Sequence, residues 1–251
     1  MLDACRWDLF REFAPRHDVY PRFETVSSAW SVASCTPDWI PRTFERRRRR
    51  GLEGTVYVVD NGHSDLLGED PPVELDEVWR YGREADSWLV DPELVTERAL
   101  AHVGRRDVER VLVHYTVPHA PFRHAYDRYS LGTEGDERES STVWDGLEAG
   151  AFDEREVWED YGRNLLLGLD QVAELVDRTE GRILVTSDHG NLLGEYGLYG
   201  HPRGVAYPEL RRVPWAWAVG RGADGDLPAW EPASEPGTAT VEDNLAALGY
   251  R

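Results

Sequence analysis

The sequence contains no lysine, so all 28 of its basic residues are arginines, and these face 47 acidic residues. The resulting formal net charge of −19 excludes proteins that bind nucleic acid or anionic membranes through a general positive field, because phosphate contacts need the opposite sign. We therefore predict no nucleic-acid partner. The same excess of acid keeps a chain soluble and is expected of a protein that works in high salt.

Cysteine is also scarce, and long apolar runs are absent. The two cysteines, Cys5 and Cys35, cannot form a disulfide framework. No run of 18 apolar residues is available to cross a membrane, and residues 1–6 lack the basic and apolar pattern of a signal peptide. These absences predict a soluble cytoplasmic protein without a membrane span. They leave the oligomeric state open.

The chain does hold enough apolar material for one sizeable core, with 41% hydrophobic residues over 251 positions. Short runs rich in β-branched residues predict four buried strands, and apolar residues at helical spacing predict three helices. The predicted strands are 55–59, 111–115, 183–186 and 213–219, and the predicted helices are 92–103, 154–179 and 240–249.

Alternation of strands and helices predicts a three-layer α/β/α sandwich around a mostly parallel sheet, formed by a single domain over residues 1–251. Residues 127–152 are rich in glycine, serine and acid, and we predict a lid-like insertion there. Residues 220–251 are predicted to wrap the surface and end in a helix. In such folds the chemistry lies at the carboxyl ends of the strands.

Polar residues follow three of the predicted strands directly, with Asp-Asn-Gly-His at 60–63, Pro-His-Ala-Pro at 118–121 and Ser-Asp-His-Gly at 187–190. Asp188 and His189 give the strongest local signal, because a carboxylate and an imidazole entering one crevice suit Mn²⁺, Zn²⁺ or a similar ion. The alternative interpretation is a helix-capping aspartate beside a surface histidine. We interpret His63 as a surface or capping residue and His114, inside a strand, as a core histidine.

Further motifs follow 187–190 in a fixed order: Gly-Glu-Tyr-Gly at 194–197, His201, and Arg-Val-Pro at 212–214. This order resembles the sulfatase-like branch of the alkaline phosphatase superfamily, and the acidic composition is similar to that of its haloarchaeal type. The resemblance extends to residues 2–8, to Pro-His-Ala-Pro at 118–121, and to Ser-Cys-Thr-Pro at 34–37, in the order of the family.

The resemblance implies an alkaline-phosphatase-like fold and a role for each matching residue. A divalent metal ion (Mn, Zn or Ca) is expected to be held by Asp3, Cys35, Asp188 and His189. Contacts with the anionic substrate or with its leaving group are expected from His119 and His201. Because the chain has no lysine, these histidines and arginines must take the place of the lysines that many sulfatases use around the sulfate.

The nucleophile segment departs from the sulfatase pattern Cys-x-Pro-x-Arg, since Trp39 stands where the arginine belongs. This departure favours a phosphatase-like relative over a sulfatase that uses formylglycine. Two nucleophiles stay open: Cys35 as a metal-bound thiolate, or Thr36 after a shift of one residue. Few residues precede Asp3, so we also expect part of the first strand of the family to be missing from this chain.

The expected function is therefore metal-dependent hydrolysis of a small anionic ester, either a phosphate or a sulfate, with Cys35 or Thr36 as the nucleophile beside the ion. Two alternatives stay open. One is a non-catalytic member of the fold that binds an anion or a partner. The other is a transferase that moves a phospho-group between alcohols, which a metal site alone does not distinguish from a hydrolase.

Overall fold

The computed structural model describes residues 1–45, 51–83, 89–129, 142–222, 227–232 and 240–248. Nine strands and eight α-helices are formed by these residues. The strands are β1 Leu2–Asp3, β2 Phe23–Trp30, β3 Thr55–Val59, β4 Glu74–Glu77, β5 Arg110–Pro118, β6 Glu180–Thr186, β7 Leu192–Leu193, β8 Tyr199–Gly200 and β9 Arg212–Arg221. The helices are α1 Trp7–Phe13, α2 Thr36–Thr43, α3 Pro92–Val103, α4 Tyr126–Tyr129, α5 Val143–Glu148, α6 Glu154–Arg178, α7 Pro208–Arg211 and α8 Val241–Ala247.

The central sheet has four strands in the order β1-β5-β3-β4, and all three pairings are parallel. Side chains alternate between the two faces of β3. Val56 and Val58 pack into the large core that contains residues of α1, α3 and α6, whereas Tyr57 and Val59 pack into a second core with residues of α2. Helices thus cover both faces, which confirms the predicted α/β sandwich with a mostly parallel sheet.

A second sheet of three strands is antiparallel, in the order β2-β9-β6. The sequence predicted β6 and β9 as strands but not β2, and it did not predict this pairing. Pro214 is tolerated inside β9 because the ladder with β6 begins only at Trp215; at Pro214 the strand has a single described neighbour, Ser28 of β2.

The three predicted helices are present as α3, α6 and α8. Asp91 caps α3 through a hydrogen bond to the Glu93 N–H, and Asp153 caps α6 through bonds to two N–H groups. Within the predicted lid, α4 and α5 are helical, and residues 130–141 lie outside the described residues. Of the predicted C-terminal wrap, residues 223–226, 233–239 and 249–251 likewise lie outside them.

No helix in the described ranges is long and apolar enough to cross a membrane. The first strand of the sheet comprises only Leu2 and Asp3, and it pairs with β5 through Tyr115 and Pro118. The end of β1 also contacts the end of β6, since the Cys5 N–H donates to Ser187 Oγ at 2.8 Å. The carboxyl ends of β1, β3, β5 and β6 therefore approach one another at one edge.

Candidate metal centre

Three buried ligand residues meet at this edge. Asp3 ends β1, and Asp188 and His189 follow β6; all three side chains are fully buried, and their ligand atoms lie within 4.8 Å of one another. His189 Nε2 is 3.5 Å from Asp3 Oδ1 and 3.4 Å from Asp188 Oδ2. The structure therefore brings together the aspartate at the start of the chain and the Asp-His pair nearly 190 residues later.

The pKa values of the two carboxyl groups, Asp3 and Asp188, are shifted in opposite directions. Burial, followed by the nearby charge of Asp188, raises the pKa of Asp3 well above its ordinary value. Burial also pushes the pKa of Asp188 upward, but His189, His114 and a hydrogen bond from the Ala4 N–H outweigh it and lower that pKa. Asp188 is thus the carboxylate that ionises first.

A divalent cation fits this group. Asp3 Oδ1 is buried and has no hydrogen-bond partner among the described residues, which is costly for a carboxylate unless a ligand supplies one. The ring of His189 is oriented for a metal, because its Nδ1 lies 2.8 Å from the Gly190 carbonyl oxygen and donates to it. That bond leaves a lone pair on Nε2, facing the two carboxylates.

Thr36 is the hydroxyl residue of this centre. Thr36 Oγ1 donates to Asp188 Oδ2 at 2.8 Å and lies 3.1 Å from His189 Nε2, and the side chain is fully buried. Thr36 is the first residue of α2, and Cys35 precedes it as an N-cap in extended conformation. The Cys35 thiol does not belong to the group of ligand atoms, and burial raises its pKa, so it favours the neutral form.

His119 and His201 complete a cluster of three rings. The ring centre of His201 is 4.8 Å from that of His189 and 5.1 Å from that of His119. Each of the two added rings is held at Nδ1, His201 by Asn191 Oδ1 at 2.6 Å and His119 by the carbonyl oxygen of Ala120. Burial lowers the pKa of both, that of His119 to about 4, so both rings are neutral near pH 7.

The Asp-Asn-Gly-His segment after β3 contributes more than its sequence indicated. Asn61 Nδ2 donates to Asp3 Oδ2 at 2.9 Å, and Asn61 Oδ1 accepts from the His63 N–H. His63 is only 8% exposed, and its pKa falls to about 4 because of burial first and electrostatic interaction with His189 second. His63 therefore lies in the electrostatic field of the centre and is not a surface residue. Its position at a strand end was the available signal.

His114 is buried as predicted, but its ring lies next to the carboxylates of Asp3 and Asp188. Its Nδ1 is 2.7 Å from the Tyr57 hydroxyl, and its Nε2 is 3.7 Å from Asp3 Oδ2 and 3.9 Å from Asp188 Oδ2. Burial lowers the pKa of His114 to about 4, so the ring is neutral near pH 7. At those distances its Nε2 packs beside the two carboxylates and forms no hydrogen bond with a described residue.

Gly190 allows the metal-ligand loop to pack closely. A Cβ on this residue would collide with the backbone oxygen of Glu209 and lie 2.7 Å from Arg6 Cγ. We expect Gly190→Ala to lower the free energy of unfolding by about 1–3 kcal/mol and to weaken metal binding, because the adjacent His189 must shift. Chemical denaturation and metal titration measure both effects.

Gly51→Ala is the matched control, since a Cβ there meets nothing within 4 Å. We expect its stability to stay within about 0.5 kcal/mol of the parent. Equal effects of the two substitutions would show that the close approach at Gly190 is not what orders the loop.

Comparison with solved structures identifies the fold. The soluble domain of lipooligosaccharide phosphoethanolamine transferase A from Neisseria meningitidis has a TM-score of 0.60 at 17% identity, with 88% of this chain and 75% of that domain covered. Against the integral membrane form of that transferase, the chain spans 47% of the length, at 17% identity and a TM-score of 0.59. No protein-family model matches the chain, and no curated protein sequence does.

Two further structures agree. The C-terminal periplasmic domain of EptC from Escherichia coli, solved as a zinc complex, has a TM-score of 0.56 at 10% identity, with 88% of this chain and 72% of that domain covered. A protein assigned as a sulfatase from Bacteroides thetaiotaomicron has a TM-score of 0.55 at 12% identity, covering 100% of this chain and 70% of its own. The chain therefore has the alkaline-phosphatase-like fold that sulfatase and phosphoethanolamine transferase domains share.

Proposed function

We propose that this protein transfers the phospho- or sulfo-group of a small anionic ester in a metal-dependent reaction, with Thr36 as the nucleophile. The observation that carries the proposal is the position of the Thr36 hydroxyl, 2.8 Å from Asp188 and 3.1 Å from His189, inside a buried group of metal-ligand residues. Many buried threonines only fill the core and bond to a neighbouring group. A core does not need two buried carboxylates at such a position, and Asp3 and Asp188 therefore favour a functional role for Thr36.

Asp3, Asp188, His189 and the Thr36 hydroxyl would hold a divalent ion, for which Mn²⁺, Zn²⁺ and Ca²⁺ are the candidates. The ion would supply a Lewis acid that lowers the pKa of a bound hydroxyl and neutralises developing negative charge. One of the similar structures is a zinc complex, which supports Zn²⁺ as the first ion to test.

The proposed first step is displacement of the alcohol by the Thr36 hydroxyl, and it needs no oxidant or reductant. Thr36 Oγ1 forms a bond to phosphorus or sulfur, and the bond from that atom to the alcohol oxygen breaks. The hydroxyl proton passes to Asp188 Oδ2, which already accepts it in a hydrogen bond, and the alcohol leaves with a proton from a neighbouring acid or from water. Attack by water on the resulting ester of Thr36 completes hydrolysis, whereas attack by a second alcohol completes transfer.

His119, His201 and His63 are proposed to contact the anionic oxygens. All three are neutral before substrate binds, and the Nδ1 hydrogen bonds of His119 and His201 leave a lone pair on each Nε2. Each of these two rings must therefore take up a proton at Nε2 to donate to an oxyanion. A negative charge next to the ring favours that uptake.

We expect His119→Ala and His201→Ala each to reduce kcat/KM by about 10²-fold, since each removes one contact with the oxyanion. Steady-state kinetics with an aryl phosphate monoester measures the loss. His17→Ala is the control, because His17 pairs with Asp170 at the surface, away from the centre. Losses of the same size in all three variants would contradict the assignment.

Hydrolysis and transfer are distinguished by the fate of the phospho-group. The first experiment supplies purified protein with Zn²⁺, Mn²⁺ or Ca²⁺ in high salt and follows aryl phosphate mono- and diesters and an aryl sulfate. Adding glycerol then separates the two activities, because a transferase yields glycerol phosphate at the expense of inorganic phosphate. Similarity to transferase domains makes this second outcome a full alternative to the hydrolase.

The non-catalytic alternative makes the opposite prediction. A degenerate member of the fold would bind an anion but release no alcohol from any of these esters. Absence of turnover together with absence of a bound metal ion would remove the enzyme proposal. The cytoplasmic location and the preference for high salt stay predictions of the composition.

A further inference from the structure

A pocket adjoins the histidine cluster on the side of β5. It lies between the ends of β3 and β5, the start of α3 and the C-terminal helix α8. Its polar lining includes Asp60, Thr116, His119 and Arg123, and its apolar lining includes Val90 and Leu248. Because His119 belongs both to this pocket and to the cluster, a group bound here lies next to the reacting ester.

Asp60 is the unusual residue of the pocket. It directly follows β3, and it is only 4% exposed. The Thr116 hydroxyl donates to Asp60 Oδ1 at 2.7 Å, and no other described side chain hydrogen-bonds to this carboxylate. No described cation lies within ion-pairing distance of it, and Arg123, on the same wall, donates to the Val90 carbonyl oxygen. Backbone N–H groups of Thr116 and of Asp60 itself, and the nearby charge of Arg123, also favour the ionised form. Because no ion pair is formed with a described cation, this buried carboxylate would still be stabilised by a ligand that donates to it.

The C-terminal helix closes the pocket in a defined position. Asn244 is 1% exposed, and its Oδ1 accepts from the Gly62 N–H at 2.8 Å. Leu248, one turn further on, is 4% exposed and faces the pocket. The wall of the pocket is thus tied to the same segment whose Asn61 holds Asp3.

We propose that this pocket binds the alcohol part of the ester and that Asp60 selects alcohols carrying a hydrogen-bond donor, either an ammonium group or a hydroxyl. The proposal rests on the proposed function, since it names the substrate class of that site. A donor would compensate the buried carboxylate, and an anionic alcohol would be rejected by it. The apolar wall limits the alcohol to a small one.

Burial raises the pKa of Asp60 to about 6, against the opposing effects of hydrogen bonds from Thr116 and from its own N–H and of the Arg123 charge. At pH 7.5 the carboxylate is therefore mostly charged and able to accept from a donor. The hydrogen bond from Thr116 fixes the orientation of the Asp60 carboxylate.

The test compares kcat/KM for four phosphate monoesters of similar size: 2-aminoethyl, 2-hydroxyethyl, n-propyl and carboxymethyl. We expect the two donor-bearing esters to exceed the propyl ester by about 10-fold or more, with the carboxymethyl ester lowest. In Asp60→Asn the 2-aminoethyl ester should lose about 10-fold or more, and the propyl ester should change by less than about threefold.

Two further variants keep the result interpretable. Asp65→Asn removes an exposed carboxylate from the same region and should leave the preference unchanged. Thr116→Val keeps the Asp60 charge but removes the hydroxyl that orients it, so it should weaken the same preference. This variant provides the test if Asp60→Asn fails to fold. Equal turnover of all four esters, or a uniform loss in Asp60→Asn, would overturn the proposal and leave the proposed function standing. Absence of turnover of every ester would instead overturn both.

Discussion

Thr36→Ala is expected to lower kcat by at least about 10³-fold while the protein still binds its metal ion. The substitution removes the proposed nucleophile, and loss of a nucleophile is among the largest single effects in enzymes of this kind. It leaves the ligand atoms of Asp3, Asp188 and His189 in place. Single-turnover kinetics and metal titration of the same sample measure the two properties.

Cys35→Ala is the matched control, since it changes the neighbouring residue that the sequence also offered as nucleophile. We expect its kcat to stay within about threefold of the parent, because the thiol lies outside the ligand group and favours its neutral form. Thr36→Ser should retain part of the activity. Loss of activity in Cys35→Ala with retention in Thr36→Ala would reverse our assignment.

Asp3→Asn is expected to have opposite effects on metal binding and on stability. Metal affinity should fall by two orders of magnitude or more, since one of two carboxylates is lost. The metal-free protein should become more stable above pH 6, by about 1–2 kcal/mol, because the carboxyl has a raised pKa next to Asp188 in the fold and its charge is removed.

The pH dependence follows from the direction of the Asp3 shift. The folded state holds the Asp3 proton at pH values where the unfolded chain has released it, so the contribution of Asp3 to the free energy of unfolding of the metal-free parent falls as pH rises above about 4. Asp3→Asn should flatten that fall, and Asp18→Asn, at an exposed acid, should not. Denaturant unfolding with a chelator at pH 5 and pH 8 measures the difference. A steeper fall in Asp3→Asn would contradict the origin we assign to it.

Parallel strands made the site predictable in outline. Runs such as 55–59 and 111–115 are largely apolar because helices cover both faces of the parallel sheet, and polar residues at their carboxyl ends must then meet at one edge. We applied that rule to Asp188 and His189 as well, although their strand β6 pairs antiparallel with β9 in the second sheet and only its end approaches the parallel one. The resemblance added Asp3, His119 and His201. The structure brings the side chains of all five to the same edge or to the ring cluster beside it.

The sequence alone did not show which of the adjacent residues Cys35 and Thr36 reaches the metal centre. Cys35 and Thr36 are neighbours in sequence, but Cys35 is extended and Thr36 begins α2, so their side chains point in different directions. Only the backbone geometry decides which of them meets Asp188. Strand β2 was missed for a related reason: its outward residues are mostly polar, and its partner β9 lies nearly 190 residues later.

The most direct measurement is anomalous scattering from crystals grown with Mn²⁺ or Zn²⁺. We expect one strong peak per chain, about 2.0–2.3 Å from oxygens of Asp3 and Asp188 and from His189 Nε2, and next to Thr36 Oγ1. The peak should disappear in His189→Ala. A peak at another place in the protein, or no peak at saturating metal, would contradict the metal centre on which the proposed function depends.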